Sequence, residues 1–73
     1  MIKRDYHGYA AVAALRDLEN IVAQVRQRRA TDDLELIVGH GVIRSHALEL
    51  LRSHALKPTL KLGNDGVIVC EVE

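Results

Sequence analysis

The feature that most restricts the fold is a strand–helix–strand alternation in which each strand ends in a glycine-bearing turn. Residues 2–7 read as a short strand ending in Asp5-Tyr6-His7-Gly8, and residues 34–38 as a second, ending in Gly39-His40-Gly41. Between them, residues 9–29 carry Ala11, Ala14, Leu15, Leu18, Val22 and Val25 at steps of three or four, with Arg16, Glu19 and Gln24 off that stripe. This is the period of a helix with one buried face. Strands joined through a crossover helix run parallel, so both turns fall on one edge of the sheet, the edge where α/β proteins hold their ligands.

The rest of the chain continues the alternation. Thr31-Asp32-Asp33 is a polar turn, and residues 42–55 return to helical period through Ile43, Ala47, Leu50 and Leu51, with Pro58 as a stop beyond them. Residues 59–62 and 67–72 read as two strands joined by a hairpin turn at Gly63-Asn64-Asp65-Gly66. The order β-α-β-α-β-β implies one α/β domain over residues 1–73, a two-layer sandwich of a mixed four-stranded sheet with two helices on one face. The other face would be open. The last strand offers Val67 and Val69 to one side and Ile68, Cys70 and Val72 to the other, so a substrate, a partner protein or a second copy of the chain is expected over it.

Composition narrows the core and the partners. Apolar residues make up 48% of the 73, but only Tyr6 and Tyr9 are aromatic, so the core is expected to be aliphatic. Ten basic and ten acidic side chains cancel. That argues against a protein whose main work is coating nucleic acid, because such affinity grows with the number of phosphates neutralised. It leaves room for a site that handles one phosphate locally. The single cysteine, Cys70, reads as a small buried hydrophobe, and no secretory or membrane-spanning stretch is visible, which places the chain in the cytoplasm.

Two groups of residues could carry chemistry. Asp5 and His7, two apart in a strand, would share a face with Lys3, which suits a general acid–base histidine tuned by a carboxylate; three ordinary polar side chains on an exposed edge would look the same. Gly39-His40-Gly41 at the mouth of a helix suits a phosphate cradle, with Arg44 in the first turn able to fork onto the anion; a tight turn needing positive φ is the alternative. No metal-ligand spacing is present among the four histidines, so no metal site is expected, a divalent ion at Asp5 being the one alternative. His46 reads as a surface residue and His54 as a helix C-terminal one. Arg26, Arg28 and Arg29 suit a helix C-terminus, with Asp32 and Asp33 diluting any basic patch.

In order and spacing, these short signals resemble the Smr (small MutS-related) domain over nearly the whole chain. Arg4-Asp5-Tyr6-His7-Gly8 stands for that family's Leu-Asp-x-His-Gly, Ala14-Leu15 for its Ala-Leu pair, and Val38-Gly39-His40-Gly41 for its His-or-Thr-Gly-x-Gly. Gly41-Val42-Ile43-Arg44, Leu51-Arg52-Ser53-His54 and Gly66 follow in the family's order. Arg4 replaces an apolar residue, and Val38 a polar one for which His40 could substitute. The resemblance implies a fold related to the C-terminal domain of a bacterial translation initiation factor, with nucleic acid (DNA or RNA) as partner. It further implies either phosphodiester cleavage or binding alone, at RNA, a ribosome or a DNA junction. The positions it carries over are Asp5 and His7, then Gly39, Gly41 and Arg44. An interaction domain working through the open sheet face is the reading from another class.

Overall fold

The computed structural model describes all 73 residues. The elements follow the expected order: β1 (Ile2–Asp5), α1 (Ala11–Gln27), β2 (Asp32–Ile37), α2 (Val42–Ser53), β3 (Thr59–Lys61) and β4 (Asn64–Val72). They form one four-stranded sheet in the order β1-β2-β4-β3. β1 and β2 are parallel, with Asp5 opposite Ile37, and β4 runs antiparallel between β2 and β3. The fold is the mixed two-layer α/β sandwich with both helices on one face. No helix is long and apolar enough to cross a membrane.

The pleat sorts the side chains. Leu34 and Leu36 of β2 lie opposite Cys70 and Ile68 of β4, and all four are buried on the helix side. Ala14, Leu18, Ile21, Val22 and Val25 of α1, with Ala47 and Leu51 of α2, close over them in a single apolar cluster. Burial pushes the Cys70 thiol above its ordinary range, as expected of a thiol acting as a hydrophobe. The core is not wholly aliphatic, however. Tyr6 is only 1% exposed, and its ring meets Tyr9 edge-on with centroids 5.3 Å apart. An aromatic with a hydroxyl can be buried here because the hydroxyl donates to Asp17 Oδ2 at 2.8 Å.

Arg4 takes the same carboxylate from the other side, Nε to Oδ2 at 3.2 Å. It lies exposed along the helix-facing side of an edge strand in which only Ile2 is partly covered, so a charge at this position costs the core nothing. Opposite it, the open face is less apolar than the sequence suggests. Val67 is already 6% exposed, Val69 is half-buried, and Lys3 and Lys61 close over Glu35 at 3.6 and 3.0 Å, holding its carboxyl below the usual range through the Lys61 hydrogen bond first.

Several boundaries move from the sequence reading. β1 stops at Asp5, two residues early, and Asp32 and Asp33 open β2 rather than forming a turn. The hairpin turn is Leu62-Gly63, with Lys61 opposite Asn64, and a bulge follows Leu60. Gly63 takes φ +83°, which a two-residue turn needs at this position and a side chain resists, so the tight turn settles there and Asn64 to Gly66 join β4.

Both helices end in left-handed residues that are not glycine. Arg29 (φ 51°) follows α1, where the Ala30 N–H reaches Val25 O; Ala55 (φ 63°) follows α2, where the Leu56 N–H reaches Leu51 O. Arg26 then clamps this end of the molecule, donating to His54 O at 2.6 Å and to Glu73 O at 3.2 Å, so it is no part of a free basic patch. Left-handed backbone costs a non-glycine residue about 1–2 kcal/mol, partly offset by glycine's greater freedom when unfolded. Ala55→Gly is therefore expected to stabilise the domain by about 0.5–1 kcal/mol, raising the midpoint of a urea melt without changing its slope.

The two chain ends meet at one end of the sheet. The Met1 amino group lies 3.1 Å from Asp32 Oδ1, and Asp32 pairs with Val72 in the ladder. The β1 and β2 turns lie at the other end.

Candidate functional site

Parallel pairing brings the two glycine turns together. The Tyr6 N–H donates to Ile37 O at 2.9 Å, so the His7-Gly8 turn leaves β1 beside the point where Val38 and Gly39 leave β2. The next strand joins them. The N–H groups of Val38 and Gly39 both donate to Gly66 O, at 2.9 and 3.0 Å, which fastens the start of β4 to the end of β2. Asp5, His7, Gly39, His40, Gly41 and Arg44 thus share one edge of the sheet, all exposed except the partly buried Arg44. No surface cavity is lined by His7, Gly39, His40 or Arg44; the edge is open rather than a cleft.

The first pair is not arranged as a shared strand face. Because β1 stops at Asp5, His7 sits in the turn, and Asp5 Oδ1 accepts from the His7 backbone N–H at 2.9 Å. The carboxylate shapes the turn instead of orienting the imidazole. Lys3, expected beside them, reaches across to Glu35. At the second turn, Gly39 has φ +69°, while Gly41 has an ordinary negative φ of −105° and stands at the N-cap of α2, where no side chain caps the helix.

The carboxylate–imidazole pair of this edge is elsewhere. His40 Nε2 lies 2.7 Å from Asp65 Oδ1, and Arg44 Nη1 donates to the Asp65 carbonyl at 3.1 Å. The hydrogen bond to His40 holds the Asp65 carboxyl below its usual range, with the charges of His40 and Arg44 adding to it. Asn64 Oδ1 accepts the Gly66 N–H at 3.1 Å and so sets the turn that presents Asp65. A Cβ on Gly66 would stand 3.2 Å from His40 Cε1, so glycine is what lets the imidazole lie flat on the strand.

Asp65 was not among the residues the sequence singled out. Its one signal is an acidic residue within a glycine-flanked stretch at the head of the last strand, and that stretch reaches the site only because β4 inserts beside β2. The remaining histidines lie away from the edge, His46 on the exposed side of α2 near Glu49 (3.8 Å) and His54 at the end of α2 near Glu19 (3.9 Å). Nowhere do three His, Cys, Asp or Glu side chains converge as metal ligands would. No family model, no curated protein and no solved structure matches the chain.

Proposed function

We propose that this chain is a nucleic-acid-binding domain of the Smr type, holding the sugar–phosphate backbone along the edge formed by the ends of β1 and β2 and the start of β4. The observation that carries the reading is the meeting of the two turns, which gathers His7, His40 and Arg44 on one exposed edge. Two imidazoles and a guanidinium are donors suited to phosphate oxygens. An open edge suits an extended strand better than a small molecule, which binds in a concave pocket. Asp5 and Asp65 stand among these donors, and the chain as a whole is neutral, so binding rests on a few phosphate contacts.

Titrating labelled single-stranded RNA and DNA at rising salt tests this. The logarithm of affinity is expected to fall with the logarithm of salt at a slope of about −1 to −3, matching one to three neutralised phosphates. Affinity indifferent to salt would remove the backbone-binding reading.

One feature favours a second reading, endonuclease activity at the same edge. His40 is paired with a carboxylate and His7 stands in the adjacent turn, so one imidazole is available as base and the other as acid for phosphodiester cleavage. His7→Ala is then expected to lower the cleavage rate about 100-fold or more while the melting temperature and oligonucleotide affinity hold. Running both proteins with and without chelator separates this from a divalent ion at Asp5. Equal turnover by the variant would end the nuclease reading and leave binding.

A further inference from the structure

The two side chains best placed to take a phosphate are already engaged by one acidic residue. Asp65 presents its carboxylate to His40 at 2.7 Å and its carbonyl to Arg44 at 3.1 Å. The segment is shaped for this. Asn64 turns the backbone by accepting the Gly66 N–H, Gly66 leaves space for the imidazole, and Gly66 O binds the two N–H groups at the end of β2. We infer that Asp65 is the site's built-in anionic occupant, and that a nucleic acid backbone reaches His40 by displacing its carboxylate. This rests on the nucleic-acid reading and adds to it a residue that sets which anions are admitted.

The energetics favour exchange over a permanent lock. His40 and Asp65 have side chains 64% and 67% exposed. Exposed ion pairs contribute little to stability, so opening this one is cheap. Arg44 keeps its bond to the Asp65 carbonyl while other N–H groups of its guanidinium bind a phosphate, since it carries five donors. Only the carboxylate has to leave. A lone phosphate would exchange one anion for another at His40. A strand engaging Arg44 and His7 at the same time has further contacts to offset the displacement. Asp65 therefore selects for polyanions and holds their affinity down.

The test is a double-mutant cycle read by titration of a labelled single-stranded RNA oligonucleotide at low salt. Asp65→Asn keeps the shape and an acceptor but removes the charge, and is expected to raise affinity about fivefold, the effect of a like charge about 4 Å away in water. In a His40→Ala background the same change is expected to give less than twofold, because the carboxylate then has nothing to vacate. Asp33→Asn removes an equal charge at the far end of β2 and is expected to stay within twofold of wild type.

Unchanged or weaker binding by Asp65→Asn would overturn the inference, as would a full fivefold gain in the His40→Ala background. In both cases wild-type binding, and with it the parent reading, stands. Failure of wild type and Asp65→Asn alike to bind any oligonucleotide would remove both. Circular dichroism establishes that each variant is folded, and Asp65→Ser serves as a second charge-removing variant read by the same criteria.

Discussion

Tyr6→Ala is expected to cost about 3–5 kcal/mol, against a total of about 5–10 kcal/mol for a domain of this size. The protein should then be largely unfolded at moderate temperature, as a thermal melt by circular dichroism would show. The ring is the largest side chain in the core and lies at the end of an edge strand with little other burial. Removing it opens a cavity beneath α1 and frees the His7 turn, which is tied to the sheet through the Tyr6 N–H. It also leaves Asp17 with Arg4 alone. Tyr6→Phe separates these effects. It keeps the packing and removes only the hydroxyl that donates to Asp17, a loss of about 1–2 kcal/mol. Burial first, and that hydrogen bond second, push the phenol's ionisation above its ordinary range, so the hydroxyl donates at any physiological pH. A Tyr6→Ala protein as stable as wild type would mean that the edge strand does not hold the site as described.

Arg44→Ala is expected to weaken single-stranded RNA or DNA binding about tenfold or more at low salt, since a charge-assisted hydrogen bond contributes about 1.5–3 kcal/mol. The salt slope should fall by about one, as it does when one phosphate contact is lost. The side chain is partly buried and anchored by the Asp65 carbonyl, so its direction is set before a ligand arrives. Arg44→Lys should restore most of the slope and only part of the affinity, because an ammonium supplies charge without the planar fork. An Arg44→Ala protein that binds like wild type would show that nucleic acid docks elsewhere. Comparing melts of the three proteins removes the share due to the lost bond to Asp65.

How far the sequence could be read follows from the range of each signal. The two helices were legible because Leu18, Val22 and Val25 repeat at the helical period whatever lies beyond them. The parallel pairing of β1 and β2 was legible too, since a crossover helix leaves little else, and it brought the two turns together. The hairpin was seen but misplaced. Gly63 and Gly66 were equal candidates for the turn, and the structure uses one for positive φ and the other for room beside His40. Tyr6 looked like a site residue, and its burial depends on a carboxylate eleven positions away. Asp65 was out of reach because its role follows from strand order, with β4 beside β2 rather than at the edge. The pairing of Asp5 with the His7 amide, in place of its imidazole, follows from where β1 stops, and strand ends are the least legible of boundaries.

The meeting of both chain ends around Asp32, at the end of the sheet away from His7 and His40, has a practical consequence. A purification handle or a biotin tether attached at either end would point away from the edge that carries Arg44. Protein immobilised on a sensor chip by its first residue, and by its last, should therefore capture oligonucleotide equally well.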